Sequence, residues 1–139
     1  MFVRLLKGYR YALAEREVYV TGVLTFQFFT PWFSLECHGS LIIQAHYAWD
    51  GPSFPAIRTR NFLTPSLVHD ALYQSMREGL LPRSQRKAVD LELHRMCLAW
   101  GMSKFRARYI YLWVRLFGRG STKPRKFPRG KIIEVKRNS

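Results

Sequence analysis

The sequence predicts an α+β fold in which a small antiparallel β-sheet comes first, three helices follow, and a basic arm ends the chain. Apolar residues alternate with polar ones over the first part of the chain, which is the period of a strand, and recur at helical spacing further on. With 139 residues, 47% of them hydrophobic, the chain can bury one core and hardly two. We therefore predict a single domain over residues 1–118, β-rich over 1–50 and helical over 60–118, with an extended or disordered arm over 119–139.

The β-rich part divides at turn-forming residues into several strands. Residues 18–35 have no charged side chain and approach the length of a short transmembrane helix. Polar residues and Pro31 interrupt this stretch, and its apolar residues alternate, so we predict a hairpin or meander instead. Further strands are expected over 32–37 and over 41–49. The alternating apolar face of the first stretch consists of Val20, Gly22, Leu24, Phe26 and Phe28.

Three helices are predicted after the sheet. The first begins near Pro65 and stops at Gly79, the second begins near Ser84 and ends at Gly101, and the third starts at Ser103 and ends before Gly118. Thr64 is a candidate N-cap for the first, with proline at the first helical position. Ser103 is a candidate cap for the third, and glycines follow each of the three. The predicted core face of the third helix consists of Phe105, Tyr109, Leu112, Trp113, Leu116 and Phe117.

The charge of the chain is strongly positive, with a formal net value of +14. From Lys104 onward basic residues recur and Glu134 is the only acidic residue. Such a balance favours anionic partners, either nucleic-acid phosphates or an anionic phospholipid membrane surface. The arm residues predicted to contact nucleic acid or membrane are Arg119, Lys123, Arg125, Lys126, Arg129 and Lys131.

The two cysteines, Cys37 and Cys97, are far apart and lack Cys-x-x-Cys spacing. Neither a disulfide framework nor a zinc site is therefore indicated, and reduced buried thiols are favoured over a single bridge. Arg4, Lys7 and Arg10 interrupt the apolar start of the sequence, which argues against a signal peptide.

An adjacent His-Asp pair stands in the first helix. The side chains of neighbouring residues on a helix point in directions roughly 100° apart, so His69 and Asp70 must have different partners and roles. Asp70 can reach back to the turn at Asp50-Gly51, where two carboxylates and backbone carbonyls would suit Ca²⁺. His69 needs another partner, and Asp90 on the antiparallel second helix is the expected one.

Each of these residues also has a purely structural interpretation. In that interpretation His69 is a buried histidine with one hydrogen bond and Asp50 caps a turn. Arg86 is expected to cap or brace the second helix beside the site. The structural ion pairs would join Asp70 to Arg58 or Arg60, and Asp90 to Arg86 or His94.

The pattern His69-Asp-x-x-Tyr73, with a preceding Asp-Gly turn, resembles the secreted phospholipase A2 superfamily and its prokaryotic branch. The resemblance implies a calcium-dependent lipid ester hydrolase with His69 as base and Asp90 as its dyad partner. It assigns Asp50, Gly51 and Asp70 to calcium, and we expect Tyr73 to act as a hydrogen-bonding brace. The chain departs from the secreted enzymes in lacking the cysteines that flank this helix and in its shortened calcium loop.

A second resemblance is to a family of uncharacterised small proteins encoded by bacteriophages and prophages. It rests on the turn at residues 50–55, the helix at 67–73, the segment 83–90 and the closing helix. It implies a location in the host cytoplasm or the virion. The rival function is a non-catalytic structural or accessory phage protein whose basic arm binds nucleic acid or a neighbouring subunit. A further alternative is an inhibitor of a host nuclease or defence system.

Overall fold

The computed structural model describes residues 3–4, 11–49 and 60–123, and of residues 3, 4, 60 and 61 it describes the backbone alone. The predicted α+β class is confirmed, because antiparallel strands are followed by three helices. The strands are β1 (Val3–Arg4), β2 (Tyr11–Leu13), β3 (Glu17–Val20), β4 (Phe28–Phe29), β5 (Phe33–Leu35), β6 (Ser40–Ile43) and β7 (Ala48–Trp49). The helices are α1 (Arg60–Arg77), α2 (Arg86–Ala99) and α3 (Lys104–Phe117), with short 3-10 helices at Arg83–Gln85 and Arg119–Thr122.

The strands form two small antiparallel sheets where the sequence predicted one. The first has the order β1-β2-β7 and the second the order β3-β6-β5-β4. The strand predicted over 41–49 is broken at His46, whose φ is 74°, a left-handed value that ends extended pairing. Consequently β6 pairs with β3 and β5, whereas β7 pairs with β2 in the other sheet.

The alternation predicted between Val20 and Phe28 does not form one continuous strand. β3 ends at Val20, and the hydrogen bonds of Thr21 and Gly22 lie outside the strand ladders. Gly22 N donates to Glu92 Oε2 on α2 at 3.0 Å, and the Thr21 hydroxyl donates to the Gly39 carbonyl at 2.8 Å. Glu92 is buried and also pairs with Arg95, so this loop fastens the second sheet to α2.

α1 begins at Arg60, about one turn before the predicted start at Pro65. The fully buried side chain of Phe62 lies in a cluster with Leu93 and Cys97 of α2. Proline removes one helical N–H, but the burial of Phe62 stabilises the additional turn. The helix therefore begins before the N-terminus that the sequence predicted, because its first turn packs against α2.

α3 begins where predicted, since the Ser103 hydroxyl accepts a hydrogen bond from the Arg106 N–H at 3.2 Å. Its predicted core face is wrong. The buried residues are Ala107, Ile110 and Val114, and most of the predicted face is exposed. The small side chain of Ala107 lets the helix approach its neighbours on that side, so the larger apolar residues opposite it face outward.

Two apolar clusters meet at the helices. The larger lies between the sheets and α1 and includes Leu13, Phe33 and Leu72. The smaller joins the start of α1 to α2 and α3. Both cysteines are free, as expected, but only Cys97 is buried, and Cys37 is exposed.

The first residues of the predicted arm fold onto the domain. Arg119–Thr122 is a 3-10 helix in which Thr122 is fully buried. Arg77 Nη1 donates to the Ser121 carbonyl at 2.8 Å, and Arg83 Nε donates to the Thr122 hydroxyl at 3.1 Å. These two hydrogen bonds hold the segment against the helices, so an extended arm cannot begin before Lys123.

Arg119 and Lys123 are exposed, and their contact role stays a prediction. The other predicted arm residues lie outside the described part of the chain, namely Arg125, Lys126, Arg129 and Lys131. Within the described ranges, no helix has the length and apolar character needed to cross a bilayer.

Candidate functional site

The contact between His69 and Asp90 joins α1 to α2. Phe62, early in α1, clusters with residues late in α2, so the two helices run antiparallel and bring the middle of one beside the start of the other. His69 Nε2 lies 2.9 Å from Asp90 Oδ1. Asp90 is 0% exposed and His69 is 8% exposed, so the pair is almost fully removed from solvent. The predicted contact is therefore present.

Tyr73 lies one turn after His69 on the same face of α1. Its hydroxyl donates to Asp90 Oδ1 at 2.6 Å, the oxygen that also contacts His69. The rings of His69 and Tyr73 are 4.0 Å apart between centroids. The predicted role of Tyr73 as a brace agrees with this geometry, since two side chains of α1 hold one oxygen of the carboxylate.

Two arginines hold the other oxygen of Asp90. Arg115 Nη1 on α3 donates to Oδ2 at 2.9 Å, and Arg86 Nη1 lies 3.5 Å from the same atom. Arg86 also donates to the carbonyls of Val114 and Arg115, at 3.0 and 3.2 Å. These acceptors belong to the last turn of α3, where unpaired carbonyls favour a cation. Arg86 therefore braces α3 as well as Asp90.

The ionisation of the site follows from these contacts. Burial acts to raise the pKa of Asp90, but the hydrogen bond and charge of His69, with the donors of Tyr73 and Arg115, outweigh it and hold the pKa below the ordinary 3.8. Burial and the hydrogen bond to Asp90 raise the pKa of Tyr73 above the ordinary value of 10. Asp90 is thus a carboxylate and Tyr73 a neutral donor at physiological pH.

Gly118 limits the space around Tyr73. A Cβ placed on Gly118 would lie 2.6 Å from the Tyr73 hydroxyl oxygen and 2.6 Å from the Val114 carbonyl oxygen. The φ of Gly118 is −79°, so the requirement is close approach and not a left-handed backbone. The residue predicted only as a helix end therefore also shapes the site.

The expected calcium ligands are only partly within the described residues. Asp70 is half-buried on α1 and has interaction partners of its own. Asp50 and Gly51 lie outside the described residues. Among the residues that are described, no group of three or more His, Cys, Asp or Glu side chains gathers as a metal site. The calcium assignment therefore remains an expectation from the sequence.

Two side-chain contacts join Tyr47 and Trp49, the residues shortly before Asp50, to α1. The Tyr47 hydroxyl donates to Gln74 Oε1 at 2.9 Å, and Trp49 Nε1 donates to the Ser66 hydroxyl at 3.4 Å. Ser66 and Gln74 lie one helical turn to either side of Asp70. The side chains of Tyr47 and Trp49 therefore contact the face of α1 that includes Asp70.

The structural pairs considered from the sequence have mixed outcomes. Asp90 does pair with Arg86, in addition to its contact with His69. The ring of His94 contacts the ring of Tyr111, with centroids 5.8 Å apart. The partners proposed for Asp70, Arg58 and the side chain of Arg60, lie outside the described part of the chain.

Sequence reasoning missed Arg115 as a partner of Asp90. The two residues are 25 positions apart, and no local pattern connects them. The spacing of Arg86 and Asp90, four residues apart on one helix, was a usable signal for that pair.

Comparisons with protein-family models, with curated proteins and with solved structures find no match to this chain. The resemblances therefore stay predictions from the residues quoted for them.

Proposed function

We propose that the protein is a calcium-dependent lipid ester hydrolase resembling the phospholipase A2 superfamily, in which His69 activates water and Asp90 orients His69. The observation that supports this proposal is the 2.9 Å contact between His69 Nε2 and Asp90 Oδ1. The Tyr73 hydrogen bond to the same oxygen adds support, because it holds the carboxylate in position.

In the proposed mechanism the Nε2–H group of His69 donates a hydrogen bond to the Asp90 carboxylate and keeps its proton. This tautomer places the lone pair on Nδ1, which accepts a proton from water as the water oxygen attacks the ester carbonyl at the second glycerol position. The tetrahedral intermediate collapses, the ester C–O bond breaks, and the imidazolium returns its proton to the leaving alcohol. General-base assistance of this kind typically contributes about 10²–10⁴ to the rate.

Asp90 stabilises the imidazolium that forms during this step. Its negative charge is shared with Arg115 and, more distantly, with Arg86. We therefore expect a smaller electrostatic contribution from this dyad than from a carboxylate that serves the histidine alone.

Calcium would be held by Asp70 with Asp50 and the Gly51 carbonyl. When bound, it would supply positive charge to the ester carbonyl oxygen and the lipid phosphate. The side-chain contacts of Tyr47 and Trp49 support this assignment, since these two residues shortly precede Asp50 and reach α1 one turn to either side of Asp70.

The test is fatty-acid release from phosphatidylglycerol vesicles by the purified protein, with calcium or with a chelator. The His69→Ala variant should lose release, while His94→Ala, a histidine of α2 outside the Asp90 network, should retain it. Both variants should keep the helical circular dichroism spectrum. Equal release by wild type and His69→Ala would reject the hydrolase proposal.

The calcium assignment has its own measurement. Calcium should raise the melting temperature of the wild type, and Asp70→Asn should remove this response. A calcium response that survives in Asp70→Asn would reject Asp70 as a ligand without bearing on His69.

The second candidate function is a non-catalytic phage structural or accessory protein that binds nucleic acid or a protein partner through its basic C-terminal residues. One observation favours it: Asp90 receives donors from all three helices, as a structural clasp would. Deleting residues 124–139 should then abolish retention on nucleic acid or partner. Unchanged retention would count against this candidate.

A further inference from the structure

The outward face of α3 has a continuous apolar stripe. Phe105, Tyr109, Leu112 and Leu116 follow one another at spacings of four, three and four, so they lie in one row along the helix. Their exposures are 85%, 46%, 48% and 73%. This row, the outer stripe, lies opposite the buried residues of the same helix, so it is not needed to pack α3 onto the domain.

Basic residues accompany the outer stripe and acidic ones do not. Lys104 and Arg108 directly precede the stripe residues Phe105 and Tyr109, so a basic row of two residues lies along one side of the stripe. From Ser103 to Lys123 the chain has six basic residues and no Asp or Glu. Lys104 and Arg108 are exposed.

Aromatic side chains form the other border of the stripe. Trp113 and Phe117 have ring centroids 4.6 Å apart, and Tyr109 and Trp113 have centroids 6.5 Å apart. Tryptophan and tyrosine favour the boundary between water and an apolar phase, because each has an apolar body and one polar atom.

We propose that the outer stripe and its basic row form a docking surface for an anionic phospholipid membrane, with α3 lying in the plane of the interface. An amphipathic helix with Phe, Trp and Leu on one face and Lys and Arg beside them has the composition that this mode of binding requires. The apolar row enters the boundary of the acyl chains, and the basic row meets the headgroup charges.

The charge beside the outer stripe favours an anionic membrane over a second copy of the chain or residues 124–139, and the apolar stripe itself favours it over nucleic acid. Two copies of α3 placed together would bring their basic rows close without any acidic side chain in the helix to pair with them. Residues 124–139 are themselves basic, with Glu134 as their only acid. Their positive charge would therefore repel the basic row if they covered the stripe. Nucleic acid would satisfy the charge but would leave Leu112 and Leu116 without an apolar partner.

This inference goes beyond the proposed hydrolysis and does not depend on it. A protein that only adheres to a membrane would use the same surface. The His69→Ala variant should therefore bind vesicles as the wild type does, even if it releases no fatty acid.

The test is flotation with vesicles of phosphatidylglycerol mixed with phosphatidylcholine, compared with phosphatidylcholine alone. The wild type should bind the anionic vesicles preferentially. Phe105→Ser with Leu116→Ser should weaken partitioning by roughly tenfold or more. The matched control is Phe29→Ser, a phenylalanine that is 80% exposed on β4, and it should leave partitioning unchanged.

The basic row has a matched control of equal charge. Lys104→Ala with Arg108→Ala should weaken partitioning by roughly tenfold or more, since each nearby basic residue contributes about 1 kcal/mol. Arg16→Ala with Lys87→Ala removes the same charge from exposed positions elsewhere and should have a clearly smaller effect.

Several results would overturn the proposal. Equal wild-type binding to anionic and neutral vesicles would do so, as would normal partitioning of the Phe105/Leu116 variant. A concentration-dependent dimer in sedimentation experiments that this variant abolishes would assign the surface to a second copy instead. Binding of single-stranded oligonucleotide that the variant abolishes, without vesicle binding, would assign it to nucleic acid.

Discussion

The Arg115 guanidinium of α3 donates a 2.9 Å hydrogen bond to the Asp90 carboxylate of α2, and the same carboxylate holds His69 of α1. One buried anion thus connects all three helices. Because Arg115 directly precedes a residue of the outer stripe, the helix with the proposed membrane surface is also bonded to the proposed dyad.

Asp90→Asn should lower the free energy of unfolding by about 3 kcal/mol or more, because it leaves largely buried guanidinium groups without their anion. Urea denaturation measures this loss. The control is Glu36→Gln, which breaks an exposed carboxylate-histidine pair with His38 and should cost no more than about 1 kcal/mol. Equal losses in the two variants would contradict the clasp.

The stabilisation due to Asp90 should depend on pH in one direction. Its pKa is lower in the folded protein than the ordinary 3.8, so the folded state binds fewer protons and stability falls as pH falls. The contribution is complete above the ordinary pKa and is lost as pH drops below 3.8 toward the folded value. The difference in unfolding free energy between wild type and Asp90→Asn should therefore be constant above about pH 5 and shrink below about pH 4. A constant difference down to the acid transition would be evidence against the lowered pKa.

Gly118→Ala should destabilise the protein by about 1–3 kcal/mol, because its Cβ would lie 2.6 Å from the Tyr73 hydroxyl and the Val114 carbonyl. Gly120→Ala is the matched control, since nothing lies within 4 Å of its Cβ position. Thermal denaturation should separate the two variants. Equal melting temperatures of the two variants would refute the close approach of Gly118 to Tyr73.

The two thiols should differ in reactivity in the native protein. Burial raises the pKa of Cys97 to about 12, so it is protonated and shielded, whereas Cys37 is exposed. A thiol reagent at neutral pH should modify one cysteine per chain when the protein is folded and both in denaturant. Cys37→Ser should abolish the native reaction, and modification of that variant at the native rate would exclude the predicted burial of Cys97.

Part of this molecule follows from local sequence alone. The succession of a β-rich part and three helices, the Ser103 cap and the end of α3 at Gly118 are set by nearest neighbours, which is why they could be predicted. The contact of His69 with Asp90 was also predictable, because a short connection forces two successive helices to run antiparallel.

Other features depended on distant parts of the chain. Periodicity identified apolar residues in α3 but could not tell which face would be covered, since both faces have them. The structure covers the face of Ala107, Ile110 and Val114, where a small side chain permits close packing, and leaves Phe105 and Leu116 outside. The same holds for the break at His46 and for Arg115 on Asp90, because each depends on which elements become neighbours in space and not on the residues beside them in sequence.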